Sequence, residues 1–199
     1  VSVAVVGDRG AGAGASLPPR GWGGIACAQI NLHKCYTANL TCNNWLGVNP
    51  GQPRIALFTE PYIMDYEVKC FDSNLFNIYT VGKNNRSGIA TTKNIQAYLL
   101  SHLCNRDQTV ITVQLERQTI VLASIYMPGD SLLPPPSELM KDLVKHCETK
   151  KLDLIICSDT NCHHIAWGST DCNERGELLL DFILSKNLLF CNEGTKPTF

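Results

Sequence analysis

The sequence predicts an α/β fold layered from mixed β-sheets and helices. Three observations predict it. Apolar runs of strand length recur along the chain. Stretches with apolar residues at helical spacing separate some of these runs, as parallel crossovers require. Other runs are separated by short polar turns and look like hairpins. Hairpins and helical crossovers together argue for mixed sheets rather than an all-parallel one.

The elements follow in chain order. Residues 1–23 (VSVAVVGDRGAGAGASLPPRGWG) are rich in Gly, Ala and Pro and keep no period. They are expected to form a flexible leader outside the domain, which then spans 24–199. Residues 24–30 (GIACAQI) read as a buried strand. Cys35, Ala38, Cys42, Trp45 and Leu46 sit at helical spacing, and 47–53 (GVNPGQP) stop that helix. Residues 54–59 (RIALFT) form a second strand, ended by Glu60-Pro61. Shorter strands are expected at 77–81 and 88–93, around a polar turn at 82–87. Residues 109–115 and 119–126 flank Glu116-Arg117-Gln118 as a hairpin. A Pro-rich stretch, 127–136, leads into a helix over 137–150 with Leu139, Leu143, Val144 and Cys147 on one face. Residues 152–157 (LDLIIC) are a buried strand and 158–173 a long polar loop. A helix over 174–186 carries Leu178, Leu179, Phe182 and Ile183 on one side, and a short strand at 188–191 follows.

Composition narrows the function. The 199 residues are 44% hydrophobic and 18% charged, normal for a packed core, so disorder is not the expected state. The formal net charge is −1, so no overall field draws in nucleic acid, and such a site must rest on local geometry or a metal. No apolar run approaches the roughly 18 residues of a membrane span, and the start shows no secretory signal. The ten cysteines form no C-x-x-C, and without a signal peptide they read as scattered free thiols. Cys157, Cys162, His163, His164 and Cys172 cluster, but at a spacing that matches no common zinc module.

Four apolar strands end in polar residues with catalytic potential. GIACAQI ends at Asn31, RIALFT at Glu60, TIVLAS leads to Tyr126, and LDLIIC leads to Asp159 and Asn161. Strand ends in layered α/β proteins converge on one rim, where loops expose them. Carboxylates beside carboxamides and a phenol make a hard-oxygen set that suits Mg²⁺. Each residue also has a plainer reading. Asn31 caps the helix beginning near Cys35, Glu60-Pro61 is a turn, Asp159 and Asn161 form Asx-turns, and Tyr126 is a core aromatic.

Several motifs together resemble one family. They are Ser158-Asp159-Thr160-Asn161-Cys162-His163-His164, Trp167-Gly168-Ser169, Asn173-Glu174-Arg175-Gly176 and Gly194-Thr195-Lys196-Pro197-Thr198-Phe199. With Ile30-Asn31-Leu32, Thr59-Glu60-Pro61-Tyr62 and Ile125-Tyr126-Met127-Pro128, they resemble the endonuclease/exonuclease/phosphatase superfamily, in the version carried by non-LTR retrotransposons of jockey or LINE type. The resemblance covers about residues 25–199. It implies a DNase I-like sandwich of two mixed sheets flanked by helices, and a phosphodiesterase that nicks double-stranded DNA. It also implies Mg²⁺ (with Mn²⁺ as an alternative), held by Glu60 with Asn31 near it. Asp159 would orient or deprotonate water, Asn161 would hold a phosphate oxygen and Tyr126 would donate to the phosphate. Thr198 and Arg175 would contact the DNA backbone, and His163 and His164 would shape the loop or the DNA groove. A reverse transcriptase domain of the same polyprotein would be the partner, and an intracellular, nuclear location is implied, with no membrane association. Two departures stand out. Ser158 and Thr160 replace the family's Gly and Phe around Asp159. The family's later Asp and its C-terminal Ser-Asp-His segment have no match before Phe199, so the last strands are expected to be missing. A catalytically dead fragment or a DNA-binding remnant is the alternative.

Overall fold

A computed structural model describes the backbone of residues 2–7 and the whole of residues 24–116 and 118–191. The elements are β1 (Ser2–Gly7), β2 (Ala26–Asn31), α1 (Tyr36–Gly47), β3 (Arg54–Thr59), β4 (Ile63–Met64), β5 (Glu67–Val68), β6 (Phe76–Tyr79), β7 (Ser87–Thr92), β8 (Ala97–Leu99), β9 (Gln108–Gln114), β10 (Thr119–Tyr126), α2 (Glu138–Lys150), β11 (Asp153–Asp159), α3 (Glu174–Ser185) and β12 (Leu188–Phe190). Single 3₁₀ turns lie at Ser101–Leu103 and Ile165–Trp167.

Two mixed sheets carry the fold. One has the order β12-β1-β11-β10-β9-β8, the other β2-β3-β7-β6, and β4-β5 form a separate small hairpin. The parallel pairs are β2·β3, crossed by α1, and β10·β11, crossed by α2. The other pairs are antiparallel. This is the mixed architecture the sequence predicts.

The period-2 alternation of strands sorts the side chains into layers. Ala56 and Phe58 of β3 face α1, where they join Leu32, Cys42 and Leu46. Ile55 and Leu57 face the other sheet and meet Ile111, Val113, Ile120 and Leu122. Val121, Ala123 and Ile125 of β10 point the opposite way, onto Met140, Leu143, Val144 and Cys147 of α2 and Leu179 and Ile183 of α3. The layers are therefore helix, sheet, sheet, helix pair. On α2 the buried face includes Met140, while Leu139 is half-buried. Ser137 caps that helix through the N–H of Met140.

Toward one end, the space between the sheets becomes polar. Ser124 Oγ donates to the Phe58 carbonyl at 2.9 Å, Gln29 Nε2 donates to the Ser158 carbonyl at 3.1 Å, and the Ser87 and Thr109 hydroxyls pair at 3.0 Å. These bonds lock the sheets together beside the strand ends.

The expected flexible leader is corrected in part. Ser2–Gly7 forms β1 and pairs with both β11 and β12. The reason is the crossover at α3. It sets β11 and β12 parallel with one strand's width between them, leaving two facing rows of backbone N–H and C=O groups. A strand laid between satisfies both rows, and SVAVVG is rich enough in valine to take the extended form. Residues 8–23 of the leader, and Thr198 with its PTF motif, lie outside the described residues. No helix among the described residues is long and apolar enough to cross a membrane.

Candidate active site

Register places the site. In the parallel pair β10·β11, Tyr126 stands opposite Asp159, and in β2·β3, Asn31 stands opposite Thr59, one residue before Glu60. Tyr126 keeps the parity of Ile120, Leu122 and Ser124. Asp159 keeps that of Cys157, and Asn31 that of Gln29. All three therefore point into the space between the sheets at its polar end. Glu60, just past β3, has a left-handed backbone with φ 46, a conformation costing a non-glycine residue about 1–3 kcal/mol. Two backbone bonds hold it there. Its N–H donates to the Arg86 carbonyl at 2.9 Å, and its carbonyl accepts the Lys34 N–H at 2.7 Å.

Asn31 joins the two carboxylates. Its Nδ2 donates to Glu60 Oε2 at 3.1 Å and to Asp159 Oδ2 at 2.6 Å. Its Oδ1 accepts the His33 N–H at 2.8 Å. The plainer reading of Asn31 as the cap of α1 is corrected, since the N-cap is Cys35 and Asn31 Oδ1 serves the turn before the helix instead. Asp159 is buried. Burial pushes the Glu60 carboxyl up, but hydrogen bonds from Asn31, Lys34 and Tyr126, with the Lys34 charge at 3.3 Å, outweigh it and hold Glu60 below the usual carboxylate range. Burial, then the Glu60 and Asp159 charges, push the Tyr126 phenol above its ordinary value.

The donor set fits a small hard cation. Two carboxylates reach one amide nitrogen, one of them is held ionised, and a phenol lies against it. One lone pair of Asn31 Oδ1 is already engaged, so Glu60 is the better-disposed ligand and Asn31 the residue that holds both carboxylates in place.

Asn161 also has a left-handed backbone, with φ 48. Its Nδ2 donates to the Met127 carbonyl at 2.9 Å, which ties the loop after β11 to the end of β10 and leaves a second N–H on the same amide. Arg175, expected to contact the DNA backbone, also has partners within the fold. Its guanidinium donates to the carbonyls of Pro128 at 3.1 Å and of Ser131 and Leu133, each at 3.3 Å, so it fastens the Pro-rich loop after β10. His164 is buried and caps the 3₁₀ turn, its Nδ1 accepting the Ala166 N–H at 3.0 Å. His163 Nδ1 lies 2.8 Å from Asp171. Trp167 is buried, and its Nε1 donates to the Cys162 carbonyl, so it packs the loop.

His164, Cys172 and Glu177 have ligand-capable atoms within 4.8 Å of one another. The hydrogen bond at His164 Nδ1 leaves the ring proton on Nε2, which faces Glu177 Oε1 at 3.5 Å. A metal would need that Nε2 lone pair, so the geometry suits a hydrogen-bonded corner rather than a zinc centre. The ten cysteines are free thiols.

One pair was not legible in the sequence. Arg86 grips Asp107 through two parallel bonds, Nη2 to Oδ2 at 2.6 Å and Nε to Oδ1, and its guanidinium carbon lies 5.0 Å over the Tyr126 ring. Nothing in the turn at 82–87 signals this, because both partners are distant in sequence.

Fold and rim together define a DNase I-like α/β domain with a carboxylate site at its polar end. Residues 120–199 match a family described as endonuclease-reverse transcriptase. Among solved structures, the chain is similar to the endonuclease domain of TRAS1, a telomere-specific non-LTR retrotransposon, with 24% identity and a TM-score of 0.67. The likeness covers 87% of this chain and 75% of that one. No curated protein matches. Both matches agree with the family that the motifs resemble.

Proposed function

We propose that this domain is a Mg²⁺-dependent endonuclease that nicks double-stranded DNA. The observation that carries the reading is Asn31, whose single amide nitrogen bonds the carboxylates of Glu60 and Asp159 from two different sheets. Two carboxylates held at one open rim supply the ligand and the base that metal-assisted phosphodiester hydrolysis uses.

Glu60 would hold the metal, with Asn31 orienting it. When bound, Mg²⁺ supplies positive charge to the phosphate and to the departing 3′-oxygen. Asp159 takes a proton from the attacking water as its oxygen bonds to phosphorus. The bond from phosphorus to the 3′-oxygen breaks, and that oxygen leaves as a hydroxyl with a proton from solvent. The free N–H of Asn161 holds a phosphate oxygen, and Tyr126 donates a hydrogen bond that strengthens as charge builds. Thr198 remains a candidate backbone contact. His163 and His164 shape the loop that carries Asp159 and Asn161.

The match to an endonuclease-reverse transcriptase family supports a wider role. The 3′-hydroxyl left by the nick would prime reverse transcription by a polymerase domain of the same polyprotein. Chromosomal DNA as target would put the protein in the nucleus. The test is conversion of supercoiled plasmid to open circles in Mg²⁺. Glu60→Ala is expected to lose it, and equal rates for the two proteins would reject the reading.

A further inference from the structure

We infer that Arg86, clamped by Asp107, is a positioning residue that sets the Tyr126 hydroxyl for the reaction. The inference rests on the nuclease reading above and adds a residue pair to it.

Tyr126 ends β10 at the rim and is half-buried, so strand packing alone does not fix its ring. The Arg86 guanidinium covers one face of that ring at 5.0 Å. A planar cation over an aromatic face is a favourable stack, and it holds only if the guanidinium plane is fixed. Asp107 fixes it, binding Nε and Nη2 with its two oxygens in the fork geometry that arginine alone offers. The same Asp107 accepts the Tyr126 N–H on its backbone carbonyl at 2.8 Å. One residue thus grips the tyrosine backbone directly and the tyrosine ring through Arg86.

Arg86 also reaches the partner of the phenol. Its carbonyl accepts the Glu60 N–H at 2.9 Å, and the Glu60 charge acts on the Tyr126 phenol. Arg86 thus touches Asp107, the Tyr126 ring and the Glu60 backbone at once. The charges acting on the phenol are Glu60 and Asp159, which raise it, and Arg86, which opposes them, while Lys34 Nζ lies 3.3 Å from Glu60. Arg86 is thus the cation that acts on the phenol. Stacked there, it polarises the O–H toward donation and keeps the ring from swinging out of line.

A plainer role exists for the pair. The Arg86 N–H donates to the Arg106 carbonyl at 2.6 Å, so the residue also ties the turn before β7 to the turn before β9. Side-chain substitutions leave that bond in place, and a kinetic cycle separates the two roles. Plasmid nicking in Mg²⁺ is measured for the full chain, Tyr126→Phe, Arg86→Met and the double variant, with kcat and KM resolved. Tyr126→Phe is expected to lower kcat about 100-fold. Arg86→Met is expected to lower kcat by about 10- to 100-fold with KM within about twofold. The double variant is expected to be no slower than Tyr126→Phe alone, because the second change acts through a hydroxyl already removed. Arg86→Lys keeps the charge but loses the fork and is expected to recover only part of the rate.

If Arg86→Met melts below the assay temperature, Asp107→Asn releases the clamp with less change of shape and takes its place in the cycle. Additive losses, or a raised KM at unchanged kcat, overturn the inference while leaving the nuclease reading intact. Equal nicking by the unchanged chain and Glu60→Ala overturns both.

Discussion

Gly176→Ala is the substitution whose cost the geometry fixes most tightly. A Cβ at that position falls 2.0 Å from the His163 carbonyl oxygen and 2.7 Å from its carbon. Both are backbone atoms, so no side chain can rotate away, and the loop or the start of α3 must move by about 1.5 Å to reach ordinary contact. That loop is pinned. The Asn173 N–H donates to the His163 carbonyl at 3.0 Å, and Asn173 Oδ1 accepts both the His163 N–H and the Gly176 N–H that it caps. The substitution therefore forces overpacking, worth about 1–3 kcal/mol, and breaks a helix cap, worth about 1 kcal/mol. A total near 3 kcal/mol lowers the melting temperature by about 6–12 °C for a chain of this size. Urea denaturation followed by circular dichroism measures it. Because Asp159 and Asn161 hang from the same loop, nicking is expected to fall even where the variant stays folded. A loss under about 0.5 kcal/mol would refute the close approach, and with it this account of why the Asn-Glu-Arg-Gly motif ends in glycine.

Three further predictions follow from other contacts. Gly88→Ala places a Cβ 2.4 Å from the Phe58 ring, which stacks on Phe71 at 5.1 Å, so it is expected to cost about 1–3 kcal/mol and to disturb Glu60 two residues on; urea melts and nicking rates check both. Asn31→Ala removes hydrogen bonds to ionised groups, each worth about 1.5–3 kcal/mol. Because the folded Glu60 carboxyl is held below its ordinary value, the part due to Glu60 is present above the unfolded carboxylate's range and lost as pH falls through the folded one, so the penalty in urea should be larger at neutral pH than in acid. The Cys42 and Cys147 thiols are both pushed up to about 12 by burial, and should react with a disulfide reagent at pH 8 at least ~10³-fold more slowly than the exposed Cys172, read by mass mapping over time.

How much of this the sequence disclosed depended on whether the signal was local. The strand RIALFT is buried at every position, and a continuous apolar run between turn residues announces such a strand. The rim was legible for the same reason. Parallel neighbours β2·β3 and β10·β11 end level with each other, so a polar residue at each strand end implies one shared site. β1 was hidden because its valines precede a long Gly- and Ala-rich stretch, and its partners β11 and β12 lie about 150 and about 185 residues away. The hairpin β4-β5 was missed because Asp65 and Tyr66 turn it with left-handed backbones and no glycine. The carbonyl contacts of Arg175 gave no local signal. Its acceptors, the carbonyls of residues 128–133, come together only in the folded chain. Asp107 and Arg86 gave no signal for the same reason.

Glu60, Asp159 and the Asn31 amide between them are proposed to form a Mg²⁺ nuclease site. The most direct measurement is a nick-and-extend assay. Supercoiled plasmid is incubated with the chain in Mg²⁺, and the nicked circles are then offered to a DNA polymerase with labelled nucleotides. The account predicts nicks that carry 3′-hydroxyls and extend at once, formation that stops on chelation, and loss of about 10²-fold or more of the rate in Asp159→Asn. Nicks that need a phosphatase before extension, or an Asp159→Asn variant as fast as the unchanged chain, would contradict it.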